Sequence, residues 1–195
     1  SALRTRLFVK GQINDDWSVT GMFQNYQDFR NATGDEDTKL KRIYTEGKIG
    51  GVNVMAGRWN EFFYNANVLD NFVDSARFTY GDKVKVGVMA GKMTNDGAYD
   101  VTGDFFAANV TTKVGVVDAS ANYFKVDKAY AYKDANDDNV YDKKEIYNVN
   151  VAFDVAKDVR LAYEYMWGDK KYDETVSKDG WVARLDYKGA DASVP

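Results

Sequence analysis

The 195-residue chain has no cysteine and no histidine, and its one proline is the last residue. Without cysteine there is no disulfide, no thiolate nucleophile and no cysteine-based zinc site. Without histidine the usual general base and the commonest metal ligand are missing, so triad and His-metal hydrolases are set aside and no enzymatic role is expected. No apolar run approaches the roughly 18 residues of a membrane-spanning helix. A barrel crosses a bilayer on alternating strands and stays polar on average, so that absence excludes only one way of spanning. The formal charge of −4 leaves no global footprint for nucleic acid, although 26 lysines and arginines are present. Where those cations point matters more than their sum.

What the chain does have is alternation. From Ser1 to Ile13, Leu3, Thr5, Leu7, Val9 and Ile13 fall on one face and Arg4, Arg6, Lys10 and Gln12 on the other, which is a two-sided strand. The same period of two recurs in Trp17 to Phe29, Leu40 to Ile49, Val52 to Trp59, Asp74 to Tyr80 and Val84 to Lys92. It continues in Asp104 to Val114, Val117 to Val126, Ile146 to Val155, Val159 to Trp167 and Gly180 to Tyr187. The connections sort by parity. Short turns at Asn14 to Asp16, Gly50-Gly51, Gly81 to Lys83, Gly115-Val116 and Ala156 to Asp158 alternate with longer polar stretches, as in outer-membrane barrels with short periplasmic turns and long outer loops. A soluble sandwich has no reason to sort its connections this way. The fold class expected is all-β, an antiparallel up-and-down transmembrane β-barrel, with residues 1–195 forming part of one barrel domain in the bacterial outer membrane.

Barrels of this kind have an even number of strands. The first strand runs into a short turn, so an ascending strand should precede Ser1. The eleven visible strands then become numbers two to twelve of about 16, and the chain is expected to be a fragment. On that count Asn60 to Val73 (NEFFYNANVLDNFV), where the alternation stops, is the third outer loop. Phe62, Phe63, Tyr64, Val68, Leu69 and Phe72 make it too apolar to hang in water. It is the candidate to fold inward and narrow the pore, the alternatives being a short amphipathic helix or a contact between protomers.

Arg4, Arg6, Arg42, Arg58 and Arg77 sit on polar strand faces or at strand ends, continued by Lys10, Lys48, Lys85, Lys113 and Lys125. A guanidinium facing lipid at mid-membrane costs about 2–4 kcal/mol, which places these residues in the lumen. Glu61, Asp70 and Asp74 are the candidate opposing acids, giving a transverse field across a constriction. The alternative is that the arginines are ordinary solvated strand residues. Trp17, Tyr80 and Tyr187 at the turn side, and Trp59, Tyr123, Tyr165, Trp167 and Trp181 at the loop side, suggest two interfacial belts.

Asp134 to Glu145 reads DANDDNVYDKKE. Asp134, Asn136, Asp138, Asp142 and Glu145 match the side-chain positions of a twelve-residue calcium loop, and Val140 supplies the backbone carbonyl. Asn139 replaces the usual glycine, which asparagine tolerates because it enters the left-handed region. No flanking helices are evident. Bound Ca2+ is one reading of this segment and a solvated acidic loop is the other.

The opening RTRLFVKGQINDDWSVTGMFQN, with its arginine-rich strand, Asn-Asp-Asp turn and Trp start, resembles the barrel of OmpM-type porins, outer-membrane proteins of diderm Firmicutes that carry an S-layer-homology domain. The resemblance implies a homotrimeric, 16-stranded general-diffusion porin among outer-membrane lipids, passing ions and small hydrophilic solutes. It also implies contact with a peptidoglycan-linked polymer through an N-terminal domain that contributes no residue to this chain. A second function class stays open, a structural barrel for envelope tethering or adhesion with a calcium-stabilised surface loop.

Overall fold

A computed structural model describes residues 2–28, 37–63, 69–94, 101–133, 136, 139–169 and 178–187. Eleven strands follow one another: β1 (Ala2–Gln12), β2 (Trp17–Asp28), β3 (Asp37–Ile49), β4 (Val52–Phe63), β5 (Leu69–Tyr80) and β6 (Val84–Met93), then β7 (Val101–Val114), β8 (Val117–Lys133), β9 (Asn139–Ala156), β10 (Val159–Gly168) and β11 (Asp179–Tyr187). They form one antiparallel sheet in strict sequence order, each strand paired with its chain neighbours. This is the up-and-down meander that the alternation and turn spacing dictate.

Two faces result. Side chains from β4 through β11, among them Arg77, Asn109, Asp118, Asn150, Arg160 and Arg184, line a single cavity of about 800 Å3, so this face is concave. The convex face carries exposed apolar residues from one end of the sheet to the other, including Leu7, Phe23, Ile43, Phe78, Val110, Val151 and Leu185. A continuous apolar surface of this extent is a liability in water and a fit to hydrocarbon. Phe106, Tyr123, Tyr147, Trp167 and Tyr165 form a chain of ring contacts with centroids 5.2–6.3 Å apart on this face, and Trp181 stacks on Tyr163. Trp59 does not join such a belt. It is 3 % exposed on the concave side, because it follows Met55 and Gly57 in the strand's period of two.

Two glycines shape the wall. A Cβ on Gly47 would lie 2.4 Å from the Trp17 ring, so the missing side chain is what lets the indole lie across β3. Gly57 has φ of +129°, and its Cβ would meet the Ile43 carbonyl oxygen at 2.3 Å. It sits where β3 and β4 cease to pair, the last described partners being Ile43 and Arg58.

The segment 60–73 is not a fourteen-residue loop. β4 and β5 stay in register from Asn53 opposite Thr79 up to Phe63 opposite Leu69, which makes most of the segment two strand ends. Its apolar residues are spent on the two faces of a hairpin: Leu69 and Val73 are buried on the concave side, while Phe62 is exposed. Residues 64–68, including Tyr64 and Val68, lie outside the described residues. The acidic stretch from Asp127 is shortened in the same way, since β8 and β9 pair as far as Lys133 opposite Asn139.

Candidate pore wall

The expected pore residues divide between the two faces. Arg4 and Arg6 stand on the concave side, opposite Tyr26 and Gln24 of β2, and Arg6 Nε donates to Gln24 Oε1 at 2.9 Å. Glu61 and Arg77 also face inward and meet on neighbouring strands. Arg77 Nη1 lies 3.0 Å from Glu61 Oε2, which also accepts a 2.6 Å hydrogen bond from Trp59 Nε1. The Arg77 guanidinium lies 5.6 Å from the Trp59 ring centroid. Glu61 is therefore not an acid facing the arginines across a gap. It is paired along the wall and 8 % exposed, with a charge-assisted hydrogen bond from Arg77.

Arg58, Asp70 and Asp74 are placed on the convex face, contrary to the expectation from the sequence. Arg58 is directly opposite Asp74 and donates to both of its carboxylate oxygens at 2.6 Å. Asp70 accepts from Asn60 at 2.9 Å. The cost of a guanidinium on the lipid side is met here by a bidentate partner, so the lumen is not the only site open to it. Lys125 alternates with Tyr123 and lies opposite Glu145, which puts it on the convex side too. Arg42 pairs with Met22 on the concave face it shares with Tyr44 and Glu46, beside a register shift in β3, and its guanidinium reaches to 5.7 Å from the Phe72 ring.

Further polar groups converge on the concave face. Arg160 bonds Asp118 and, at 3.2 Å, Asp154. Asn122 donates to Asn148 at 2.8 Å, and Asn148 donates to Glu164 at 2.5 Å, a row of buried amides ending in a carboxylate. Above the cavity, toward the longer connections, sits an apolar cluster of Trp59, Val73, Met89, Met93, Phe105 and Phe124 with their neighbours. Sequence reasoning missed this cluster. Its one signal was that β7 is apolar on both faces at Phe105 and Phe106, the pattern of a strand buried on both sides.

For the calcium-like segment, Asp142 and Glu145 are three residues apart on β9 and so point to opposite faces. Glu145 is engaged by Tyr147 at 3.0 Å and by Lys125 at 3.9 Å. Val140 is a strand residue opposite Tyr132. Asn136 stands between Asp134 and Asp138, both of which lie outside the described residues. Among the described residues no group of acidic side chains is gathered as a metal site.

Neither a family model nor a characterised relative matches the chain by sequence. Solved structures do match by fold. The NanC porin is 13 % identical with a TM-score of 0.51, over 96 % of this chain and 93 % of that one. The Salmonella typhi OmpF complex with daunomycin is 11 % identical with a TM-score of 0.51, over 95 % of this chain and 78 % of that one. At such identity the likeness concerns the fold alone, which is that of an outer-membrane β-barrel.

Proposed function

We propose that this chain forms the wall of a porin in a bacterial outer membrane, a passive diffusion channel for ions and small hydrophilic solutes. The observation that carries the reading is the division of the sheet into an exposed apolar convex face and a concave face whose charged and amide side chains surround a polar cavity. A wall built for tethering alone has no need of hydrated charges inside. The fold likeness to two porins supports the same reading.

The narrowing of such a channel is assigned to the wall itself. Trp59, Met89, Phe105 and Phe124 project inward from β4, β6, β7 and β8, and Glu61 and Arg77 meet beside Trp59. Homotrimeric assembly and calcium in the 134–145 segment remain part of the proposal, resting on the resemblance and on the ligand spacing respectively.

Single-channel recording in planar bilayers tests the function. Discrete conductance steps that scale with salt concentration are expected. A barrel that inserts without conducting would turn the reading toward the tethering role, and a protein monodisperse without detergent would end the membrane assignment.

A further inference from the structure

Polar groups on the concave wall of β6 to β10 are used differently at different heights. Toward the long connections, amides close on one another: Asn122 donates to Asn148, and Asn148 to Glu164. Toward the short turns, charges do the same. Lys113 lies 3.8 Å from Asp118, which also binds Arg160, and Arg160 reaches on to Asp154. Between these two networks stand Lys85, Thr111, Ser120 and Asn150, placed opposite one another in turn across β6, β7, β8 and β9. All four line the cavity of about 800 Å3. Among the described residues, none of their side chains has a hydrogen-bond or ion-pair partner.

This row offers donors and one formal charge. Lys85 brings an ammonium, Asn150 an amide, and both hydroxyls can donate. Six cations and three acids line the cavity, and two of the acids are already engaged, Glu61 by Arg77 and Asp118 by Arg160 and Lys113. Arg184 has Asp186 at 3.0 Å. Asp82 lies in the turn before β6, and among the described residues neither Lys83 nor Lys85 has an acid within ion-pair distance. Glu164, opposite Asn150, is 3 % exposed and accepts from the Asn148 amide. The positive excess therefore sits at Lys83 and Lys85, beside Thr111 and Ser120. Neighbouring strands are about 4.7–4.9 Å apart, so donors on three of them come within reach of the oxygens of one small anion.

From this we infer that the row binds the oxyanion group of a permeating solute, a phosphate, sulfate or carboxylate, with Lys85 as the charged donor and Thr111 and Ser120 as neutral ones. The inference names a solute class for the channel and rests on the channel reading.

Channel recording in potassium chloride tests it, with inorganic phosphate as the probe. Added phosphate should reduce the single-channel current and then saturate, as occupancy of a site requires. Lys85→Gln should raise the half-blocking concentration about tenfold, and Thr111→Val and Ser120→Ala about threefold each. Lys85→Arg should restore most of the block. Lys92→Gln, on the same strand but opposite Asp74 on the convex face, should leave it unchanged. Sulfate and acetate run in the same way separate a mineral oxyanion from the carboxylate of an organic acid. Broadening of the phosphate line in phosphorus NMR, with the protein in dodecyl maltoside, reads the same variants without requiring conduction.

A current that falls without saturating, or equally in Lys85→Gln, would overturn the inference and leave the channel reading standing. So would a block that responds to Lys85→Gln but to neither hydroxyl variant, because diffuse charge would then suffice. A protein that broadens the phosphate line through Lys85 without conducting would support the site and fail the channel reading instead.

Discussion

Arg58 and Asp74 face each other across β4 and β5 through two hydrogen bonds of 2.6 Å, on the side of the wall turned away from the cavity. Both side chains are 43 % exposed, so screening limits the pair to about 1 kcal/mol. A double-mutant cycle of Arg58→Ala and Asp74→Ala, read by chemical unfolding from lipid vesicles, should return a coupling of that size. Neither substitution should move the reversal potential in a salt gradient. A shift as large as that of a cavity-facing charge would place the pair in the lumen after all.

The inward pair should behave in the opposite way. Glu61→Gln removes the charge that compensates Arg77 and leaves a guanidinium facing the cavity, so the reversal potential should move toward anion preference. Arg77→Gln should move it toward cations. It should also cost about 1–3 kcal/mol of stability, because the Glu61 side chain, 10 % exposed, loses its cation in a dry place. Asp70→Asn, on the convex face, should change nothing. Identical reversal potentials for all four proteins would remove Glu61 and Arg77 from the conduction path.

These two pairs show what a sequence carries and what it withholds. The eleven strands, their order and most of the two faces follow from a period of two and from turns at Asn14 to Asp16, Gly50-Gly51 and Gly81 to Lys83. Strand ends do not follow from alternation. Residues 60–73 stay paired through backbone hydrogen bonds that are blind to the side-chain pattern, so the hairpin outlasts the alternation that revealed it. Arg58 illustrates a second limit. Its face depends on counting from Gly57 without a break, and its tolerance on the convex side depends on Asp74, sixteen residues away in sequence and adjacent only in the register. The apolar cluster escaped for a third reason. Met89 and Phe105 occupy positions that the polar-inward rule assigns to hydrophilic residues, and the rule has nothing to say about where an interior is packed.

That cluster carries its own prediction. Phe105 and Phe124 stack with centroids 5.9 Å apart and are 4 % and 3 % exposed. Phe105→Ala should destabilise the barrel by about 3–5 kcal/mol through the cavity it leaves. If wall side chains set the width of the channel, the same substitution raises the single-channel conductance. Lost stability with an unaltered conductance step would mean that the cluster is structural and that the narrowing lies elsewhere.

The assignment of faces is tested most sharply on two consecutive residues of β7. Val110 is 42 % exposed on the convex side, close to the middle of its strand, whereas Thr111 lines the cavity. An arginine at 110 would project into hydrocarbon, where mid-membrane guanidinium groups cost about 2–4 kcal/mol. An arginine at 111 would reach hydrated space already shared by Lys85 and Lys113, and should cost little while adding to anion preference. Folding into vesicles measured for Val110→Arg and Thr111→Arg should therefore separate the two by several kilocalories per mole. Equal costs would mean that the exposed apolar face meets something other than lipid, and the whole placement of charge inside the wall would have to be rebuilt.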